Sequence, residues 1–394
     1  MPLLPLEPAI VRYPWGSRRL LAQWQSRPAP AVEPEAELWM GDHPGAPSSS
    51  SGRPLGEIIA GDPVAVLGAS VAARGGGLPF LFKILAVEQP LSVQAHPDAR
   101  QAAAGYDREQ AAGIPLDARH RNYRDRNHKP EIICALDRFW ALSGFRPYAG
   151  ILDLVTEAGL PEIAPECARF AAGLDADALE TFFVALMGLE AERKERLLSQ
   201  LAAAADRRRD ERPEYRWIRE ILQLYPGDPG VLNVLLLNLV ELAPGEALYC
   251  GAGRLHCYLR GFGVELMSNS DNVLRAGLTA KHVDLRELTD VLTFAPQAAV
   301  VLRPEDSVYR TPCRDFRLSV VDLTAGGVYS AGAEHGFEIL TVISGRGTIR
   351  IPTPETTLEI GRGDAVAVTA DTAGYEITGR LLAYKASVGA AEQE

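Results

Sequence analysis

The sequence predicts a mainly β protein that contains two β-barrels, with a helical domain inserted into the first. Short apolar or alternating runs bounded by turn residues, typical of strands, fill residues 1–145 and resume after Leu235. Between them, apolar residues recur at helical spacing. We expect a catalytic, metal-binding barrel from residues 1–145 and 231–295, a helical insertion at 146–230, and a C-terminal barrel without metal at 296–394.

Individual strands are predicted from the same patterns. Phe80–Val87 and residues 91–96 are apolar or alternating runs separated by Gln89-Pro90. Four more strands are predicted near the C-terminal end, at residues 337–344, 347–351, 364–369 and 380–386.

The helical segment carries two apolar stripes. Asp175 is a plausible N-cap, and the apolar residues that follow it at helical spacing are Leu179, Phe182, Phe183 and Leu186. The next predicted helix repeats the stripe with Leu197, Leu198 and Leu201. We interpret both stripes as core contacts rather than a cofactor site.

Composition excludes several function classes. The 394 residues include 40 Lys and Arg against 51 Asp and Glu, a net charge of −11, which argues against nucleic acid as a partner. The longest apolar stretch, residues 231–240, is interrupted by Asn233 and Asn238 and is too short to span a membrane. The N-terminal sequence lacks the basic start of a targeting peptide, and the five cysteines are scattered. We therefore expect a cytoplasmic protein with reduced thiols, either a monomer or a weak homo-oligomer.

Three separate segments offer metal ligands. Alternation along residues 91–96 points Gln94 and His96 to the same side of a strand. Glu131 begins an apolar strand after Pro130, and His256 shares a strand face with Tyr258 after a glycine-rich turn. Two nitrogens and two oxygens suit Zn²⁺ with an open coordination position. Each residue alone has a simpler explanation, since a single inward histidine is more often a hydrogen-bonded core residue.

The chain resembles the type I phosphomannose isomerases, also called mannose-6-phosphate isomerases. The resemblance covers most of the chain, and its motifs are Tyr13-Pro14-Trp15-Gly16, Glu37-Leu38-Trp39-Met40-Gly41 with His43-Pro44, Pro79 to Lys83, Leu91 to Pro97, His128-Lys129-Pro130-Glu131, and Ser270 to Thr279. It implies two cupin (jelly-roll) barrels with an inserted α-helical domain. It also implies one Zn²⁺ per chain, held by Gln94, His96, Glu131 and His256. The implied reaction interconverts mannose 6-phosphate and fructose 6-phosphate through a cis-enediol or enediolate.

Such an isomerase needs a base, stabilisation of negative charge on oxygen, and a grip on phosphate. Glu265 is our leading candidate for the base, because a carboxylate in a closed pocket can have its pKa raised toward the working pH. His128, Lys129 and Asp271 compete for this role. In the alternative interpretation, Glu265 pairs with Arg275 and only holds a loop.

Cations and aromatic residues are the remaining candidates for the site. Arg275 and Lys281 are expected at the substrate end of the pocket, where Arg offers a planar fork and Lys a point charge. Lys83 and Lys129 are further cations near the metal strands. Trp15, like Tyr13 and Trp39, is interpreted as a pocket wall or a core residue.

Other histidines and the C-terminal barrel receive structural interpretations. Residues 334–338 and 361–364 are similar to cupin motifs, but His335 is the last histidine of the chain, so we expect no metal there. His43, His120 and His282 are interpreted as structural.

Several alternatives remain open. Thr279-Ala280-Lys281, Arg260 and the turn before His256 depart from the family pattern, which leaves fine substrate preference open. The chain could isomerise another sugar phosphate, or bind a sugar phosphate without turnover. An Fe²⁺-dependent cupin oxygenase is less favoured, because Gln94 and Glu131 supply oxygens where such sites favour histidine.

Overall fold

The computed structural model describes residues 2–75 and 77–389, so residues 1, 76 and 390–394 of the two predicted barrels lie outside the described residues. The first part of the chain contains strands and helices in the order β1 (Leu3–Leu6), β2 (Ala9–Val11), α1 (Leu20–Trp24), β3 (Glu37–Met40), β4 (Ser49–Ser50), β5 (Arg53–Pro54), α2 (Leu55–Gly61), α3 (Pro63–Leu67), α4 (Ala69–Ala72), β6 (Phe80–Val87), β7 (Gln94–Ala95), α5 (Ala99–Ala111), β8 (Glu131–Ala135) and β9 (Phe139–Phe145).

This part differs from the sequence prediction in two places. Helix α5 was not predicted, although Asp98 and Gln101 form a capping box at its start. Of the strand predicted at residues 91–96, only Gln94–Ala95 (β7) forms regular strand pairing. The amides of Leu91 and Val93 each donate one isolated hydrogen bond, to the carbonyls of Tyr258 and Gly277, and do not continue a ladder. Strand β6 has the predicted bounds.

The helical segment follows β9 and confirms both predicted stripes. It contains α6 (Tyr148–Ala158), a 3-10 turn (Pro161–Ile163), α7 (Ala164–Gly173), α8 (Ala176–Met187), α9 (Ala191–Arg208), α10 (Pro213–Leu224), a second 3-10 turn (Pro229–Leu232) and α11 (Asn233–Leu236). The carboxylate of Asp175 accepts a hydrogen bond from the amide of Ala178 and so caps α8 as expected. The predicted apolar residues of α8 and α9 are buried together in one cluster.

Strands resume after α11 and continue to the end of the described chain. They are β10 (Leu237–Leu242), β11 (Ala247–Cys250), β12 (His256–Ser268), β13 (Leu274–Arg275), β14 (Val301–Leu302), β15 (Val308–Tyr309), β16 (Arg317–Asp322), β17 (Val328–Ala331), β18 (Glu338–Pro352), β19 (Glu355–Gly361), β20 (Ala365–Val368) and β21 (Tyr375–Ser387), with α12 (Leu285–Val291) before β14. Two of the predicted C-terminal strands are one strand, β18, whose register with β21 shifts between Val342 and Ser344. Strand β19 was not predicted.

Two large antiparallel sheets organise these strands. One has eleven strands, with β14, β11, β8, β12, β6, β3 and β2 as its main path, and the other has eight, including β1, β20, β18, β21, β16 and β15. Strand β1 pairs with β20, and β14 pairs with β11. Both short strands therefore lie in the sheet opposite to the one that the predicted domain boundaries give them. The pairing partner, and not sequence position, decides where such short strands lie.

The two sheets share a hydrophobic core. Phe82 and Ile84 of β6 pack in one cluster with Ile339 and Tyr384 of the second sheet. Because side chains alternate along a strand, the intervening Lys83 lies on the opposite face of β6. The helices of the insertion pack in a separate cluster. No helix within the described residues is long and apolar enough to cross a membrane.

Gly261 allows β12 to change partners along its length, and its replacement is predicted to destabilise the fold. Its φ is +149°, and an added Cβ would lie 2.4 Å from the ring of Phe139. We expect Gly261→Ala to lower the free energy of unfolding by about 2–4 kcal/mol through overpacking and backbone strain. The measurement is chemical unfolding of both proteins. The control is Gly61→Ala, where nothing lies within 4 Å of the added Cβ. Equal effects of the two substitutions would contradict the prediction.

Candidate active site

A cavity of about 570 Å³ lies against the inner face of the eleven-stranded sheet. Strand β12 organises its wall, because the first half of this strand pairs with β7 and β9 while the second half pairs with β6 and β8. Residues from both halves of β12, including Tyr258 and Glu265, therefore face one cavity.

Three potential metal ligands meet at the base of this cavity. His96, Glu131 and His256 are at most 1% exposed, and their ligand atoms lie within 4.8 Å of one another. Nε2 of His96 lies 3.3 Å from Oε2 of Glu131, and Nε2 of His256 lies 2.9 Å from Oε1. The tertiary structure thus brings together segments that are distant in the sequence.

The hydrogen bonds of the two imidazoles leave their inner nitrogens free for a cation. Nδ1 of His96 lies 2.8 Å from the carbonyl of Asn272, and Nδ1 of His256 lies 3.0 Å from that of Arg254. A carbonyl can only accept, so both Nδ1 atoms carry the proton. Neither Nε2 atom has a hydrogen-bond partner among the described residues.

Lone pairs on these nitrogens consequently face carboxylate oxygens, an arrangement that a bound cation would make favourable. Burial, aided by the charge of Lys129, lowers the pKa of His96 to about 4, so this ring is neutral at pH 7. Neutral histidines with Nδ1 bonded to carbonyls are the usual form of metal ligands. The residues present therefore fit a Zn²⁺ site.

The fourth predicted ligand, Gln94, lies next to this group. It pairs directly with His256 across β7 and β12, and it lines the cavity. Its role as a ligand stays a prediction.

Two donors contact the Glu131 carboxylate in addition to the histidines. Nζ of Lys129 lies 3.3 Å from Oε2, and the hydroxyl of Tyr258 donates to Oε1 at 3.0 Å. Burial alone would raise the pKa of Glu131, but the positive charge of Lys129 holds it well below its usual range. Glu131 is therefore a carboxylate at neutral pH, as a metal ligand must be.

Glu265 lies in the cavity and pairs with Lys83. The two residues are directly opposite each other on β12 and β6, and Nζ of Lys83 donates to Oε2 of Glu265 at 3.0 Å. The alternative in which Glu265 pairs with Arg275 is wrong, because the guanidinium of Arg275 has no carboxylate oxygen within 4.0 Å among the described residues. Burial raises the pKa of Glu265, although the charge of Lys83 opposes this rise.

The charge of Lys83 is already balanced by protein groups. Besides Glu265, its ammonium lies 3.4 Å from Oε2 of Glu37 and 5.1 Å from the centre of the Trp39 ring. Burial would lower the pKa of Lys83, but the two carboxylates more than compensate and raise it above the usual value. Lys83 lines the cavity as expected of a substrate contact, and it also holds the Glu265 carboxylate in place.

The structure separates two neighbouring candidates, Lys129 and His128. Lys129 lines the cavity, whereas Nε2 of His128 lies 2.7 Å from the carboxylate of Asp315, outside the cavity. His128 thus lies away from the other candidate bases, and its role as a base stays a prediction. Alternation is the physical reason, because residues 129 and 131 share one face of the chain and residue 128 takes the other.

Asp271 lines the cavity together with a histidine that the sequence analysis treated as structural. Nε2 of His43 lies 3.4 Å from the Asp271 carboxylate, and Nδ1 of His43 accepts the amide proton of Gly45. His43 therefore donates to Asp271, and this hydrogen bond lowers the pKa of Asp271. The signal in the sequence that could have placed His43 in the cavity was its position, because it follows the Glu37–Met40 strand within a single motif.

Arg275 and Lys281 form a positive region at the cavity wall. Neither has a carboxylate within 4.0 Å among the described residues. Burial lowers the pKa of both, with repulsion from Arg124 for Arg275 and from Arg275 for Lys281. The guanidinium of Arg275 is a permanent cation, so the region suits an anionic ligand.

Aromatic side chains complete this part of the wall. Tyr13 and Trp15 stack with ring centres 5.5 Å apart, and both line the cavity. Nζ of Lys281 lies 5.8 Å from the centre of the Tyr13 ring. Trp15 is thus a pocket wall and not only a core residue. His120 and His282 lie near each other, with ring centres 6.4 Å apart, and do not line the cavity.

The geometry predicts that metal-stripped protein binds one Zn²⁺. His256→Ala is expected to weaken zinc affinity by about 100-fold or more, because one of few ligands is lost. At a free zinc concentration of 100 Kd, bound metal should stabilise the parent by about 2.7 kcal/mol, which a chelator removes. Isothermal titration and chemical unfolding measure both effects. His335→Ala, outside the group, should leave affinity unchanged, and similar affinity in both variants would contradict the assignment.

Comparisons with known proteins agree with this geometry. Residues 3–148 match the family model of the phosphomannose isomerase type I catalytic domain. The chain is 38% identical over 384 residues to the mannose-6-phosphate isomerase of Salmonella typhimurium, covering 95% of this chain and 97% of the relative. It is 33% identical over 415 residues to the Homo sapiens enzyme of that name, covering 94% of each chain.

A solved structure extends the similarity to the whole fold. The crystal structure of mannose 6-phosphate isomerase bound with zinc and yttrium matches with a TM-score of 0.92 and 36% identity, covering 99% of this chain and 100% of that chain. The chain belongs to the type I phosphomannose isomerase family.

Proposed function

We propose that this protein interconverts mannose 6-phosphate and fructose 6-phosphate with one bound Zn²⁺, through a cis-enediol or enediolate. The observation that carries the proposal is the pair of Nε2 atoms beside Glu131 that have no hydrogen-bond partner among the described residues. Glu131 lines a cavity that also contains Glu265, Arg275 and Lys281. Family membership and the names of the relatives support the same reaction.

The residues that hold the metal would be Gln94, His96, Glu131 and His256. A bound Zn²⁺ is a redox-inert Lewis acid that supplies stabilisation of negative charge on substrate oxygens. Because Gln94 is neutral, Glu131 is the only ligand in this set whose charge offsets that of the metal. Lys129, beside Glu131 and lining the cavity, adds positive charge near the developing oxyanion.

Glu265 is the proposed base for proton transfer between C1 and C2. The hydrogen bond from Lys83 occupies Oε2 and fixes the carboxylate, which leaves Oε1 to receive the proton. Burial brings the pKa of Glu265 closer to the working pH, which favours reversible transfer. Lys129 and Asp271 also line the cavity and are the alternative proton carriers.

Arg275 and Lys281 are proposed to hold the anionic end of the substrate. Arg275 offers a planar fork to phosphate or enediolate oxygens, and Lys281 offers a point charge. Tyr13 and Trp15 would limit the space beside Lys281 and exclude water from this wall.

The two large sheets support the finer architecture that the resemblance implies. We propose two cupin barrels, a metal-binding one and a C-terminal one without metal, with the helical domain inserted into the first. In the C-terminal barrel, the carboxylate of Glu338 already pairs with Lys385 at 2.6 Å and accepts a hydrogen bond from the hydroxyl of Tyr375, so protein groups occupy this buried carboxylate. We also propose a cytoplasmic location, supported by five free cysteines, and a monomer or weak homo-oligomer.

Substitution of Glu265 tests the proposed base. Zinc-loaded protein should convert mannose 6-phosphate to fructose 6-phosphate in D₂O, and Glu265→Gln should lower kcat by about 10²–10⁴-fold because the amide cannot accept the proton. Proton NMR follows both turnover and deuterium incorporation. Glu57→Gln, at an exposed position of α2, is the control.

Two other results would change the assignment. Turnover that survives in Glu265→Gln would transfer the role of base to Lys129 or Asp271. No turnover by zinc-loaded parent protein would point to another sugar phosphate or to a protein that binds without turnover.

The pH profile tests the electrostatic pair. A base acts when deprotonated, so kcat/KM should fall as pH drops through the pKa of Glu265, which burial places above the usual carboxyl range. The positive charge of Lys83 lowers this pKa, so Lys83→Met should move the acid limb to higher pH. Lys194→Met, on helix α9 of the helical insertion, should not move it. A limb that stays in place or moves to lower pH in Lys83→Met would contradict Glu265 as the titrating base.

A further inference from the structure

The carboxylate of Glu131 is contacted symmetrically by four side chains. Each oxygen faces one imidazole and one hydrogen-bond donor, with His96 and Lys129 on Oε2 and His256 and Tyr258 on Oε1. The histidines have an evident purpose as metal ligands. The two donors differ in charge, and only Tyr258 is neutral.

We propose that Tyr258 is a positioning residue that holds the Glu131 carboxylate in the orientation required for metal binding. This inference rests on the proposed zinc function and assigns to the tyrosine a role separate from proton transfer. Its hydroxyl acts through Glu131, which in turn binds the metal.

The tyrosine ring is itself fixed before any ligand binds. Its side chain is 1% exposed, and it packs edge to face on Phe139 with ring centres 5.6 Å apart. Tyr258 follows His256 by two residues on β12, so both side chains project from the same face of the strand. A rigid donor next to a metal ligand reduces the freedom that the carboxylate would lose on binding a metal.

The hydroxyl of Tyr258 is neutral, and this distinguishes it from Lys129 as a group that orients the Glu131 carboxylate. The ammonium of Lys129 also bonds to Glu131, but its positive charge would repel a divalent cation bound to that carboxylate. A phenol orients the carboxylate without adding charge. Loss of such an outer hydrogen bond typically weakens metal affinity by about 10–100-fold.

The test compares zinc affinity in two variants that each lose one buried tyrosine hydroxyl. Tyr258→Phe removes the bond to Glu131. Tyr309→Phe is the matched control, because Tyr309 is 2% exposed and its hydroxyl donates to the carbonyl of Gly245 at 2.8 Å, away from Glu131. Competition with a chromophoric chelator should show affinity about 10–100-fold weaker in Tyr258→Phe and within about twofold of the parent in Tyr309→Phe.

A Co²⁺ absorption spectrum supplies a second readout besides activity. The visible bands of Co²⁺ report ligand geometry, and they should change in Tyr258→Phe and remain as in the parent in Tyr309→Phe. With zinc at saturation, Tyr258→Phe should regain most of the parent kcat. Unchanged affinity and spectrum in Tyr258→Phe, or a kcat that stays low with the site filled, would overturn the inference.

A double-substitution comparison shows whether the hydroxyl acts through Glu131. In a Glu131→Gln background, adding Tyr258→Phe should cause little further loss of zinc affinity, whereas independent, multiplicative losses would contradict the proposal. Tyr258→Met gives a second hydroxyl-free variant if Tyr258→Phe does not fold. Failure of the parent itself to bind zinc would instead refute the proposed metal site, so the two failures are distinguishable.

Discussion

Strand β12 is the constraint on which the rest of the site depends. It must pair with β7 and β9 in its first half and with β6 and β8 in its second, and this change of partners occurs next to Gly261, where no larger residue fits. One continuous strand thereby carries both His256, which contacts Glu131, and Glu265, which lines the cavity. Loss of its register would move the metal ligand and the proposed base together, since a shift of one residue turns every side chain to the other face.

Buried charge is tolerated in this cavity because nearly every ion has a partner. Lys83 lies between Glu37 and Glu265, and Lys129 lies beside Glu131. Arg275 and Lys281 have no such partner among the described residues, and burial lowers the pKa of each. The site is therefore electrostatically incomplete at two places, between the imidazole nitrogens and at these cations. A metal ion would complete the first and a phosphate the second.

The second sheet stabilises the first by covering its outer face. Phe82 and Ile84 pack against it, while a polar contact joins the two parts where Asp315 accepts hydrogen bonds from His128 and Ser268. This contact holds the segment just before Lys129 and the end of β12. A part of the chain that contributes no side chain to the metal group thus restrains two elements that do shape the cavity.

The sequence by itself determined which segments form strands and which form helices, the N-cap at Asp175, and the candidate metal ligands His96, Glu131 and His256, because periodicity and residue chemistry are local properties. Long-range pairing decided the rest. The exchange of β1 and β14 between sheets, the Lys83 partner of Glu265, and the position of His43 in the cavity all depend on residues far apart in the chain. The outward direction of His128 was also settled only by the fold, since alternation fixes which residues share a face but not which face is turned to the cavity.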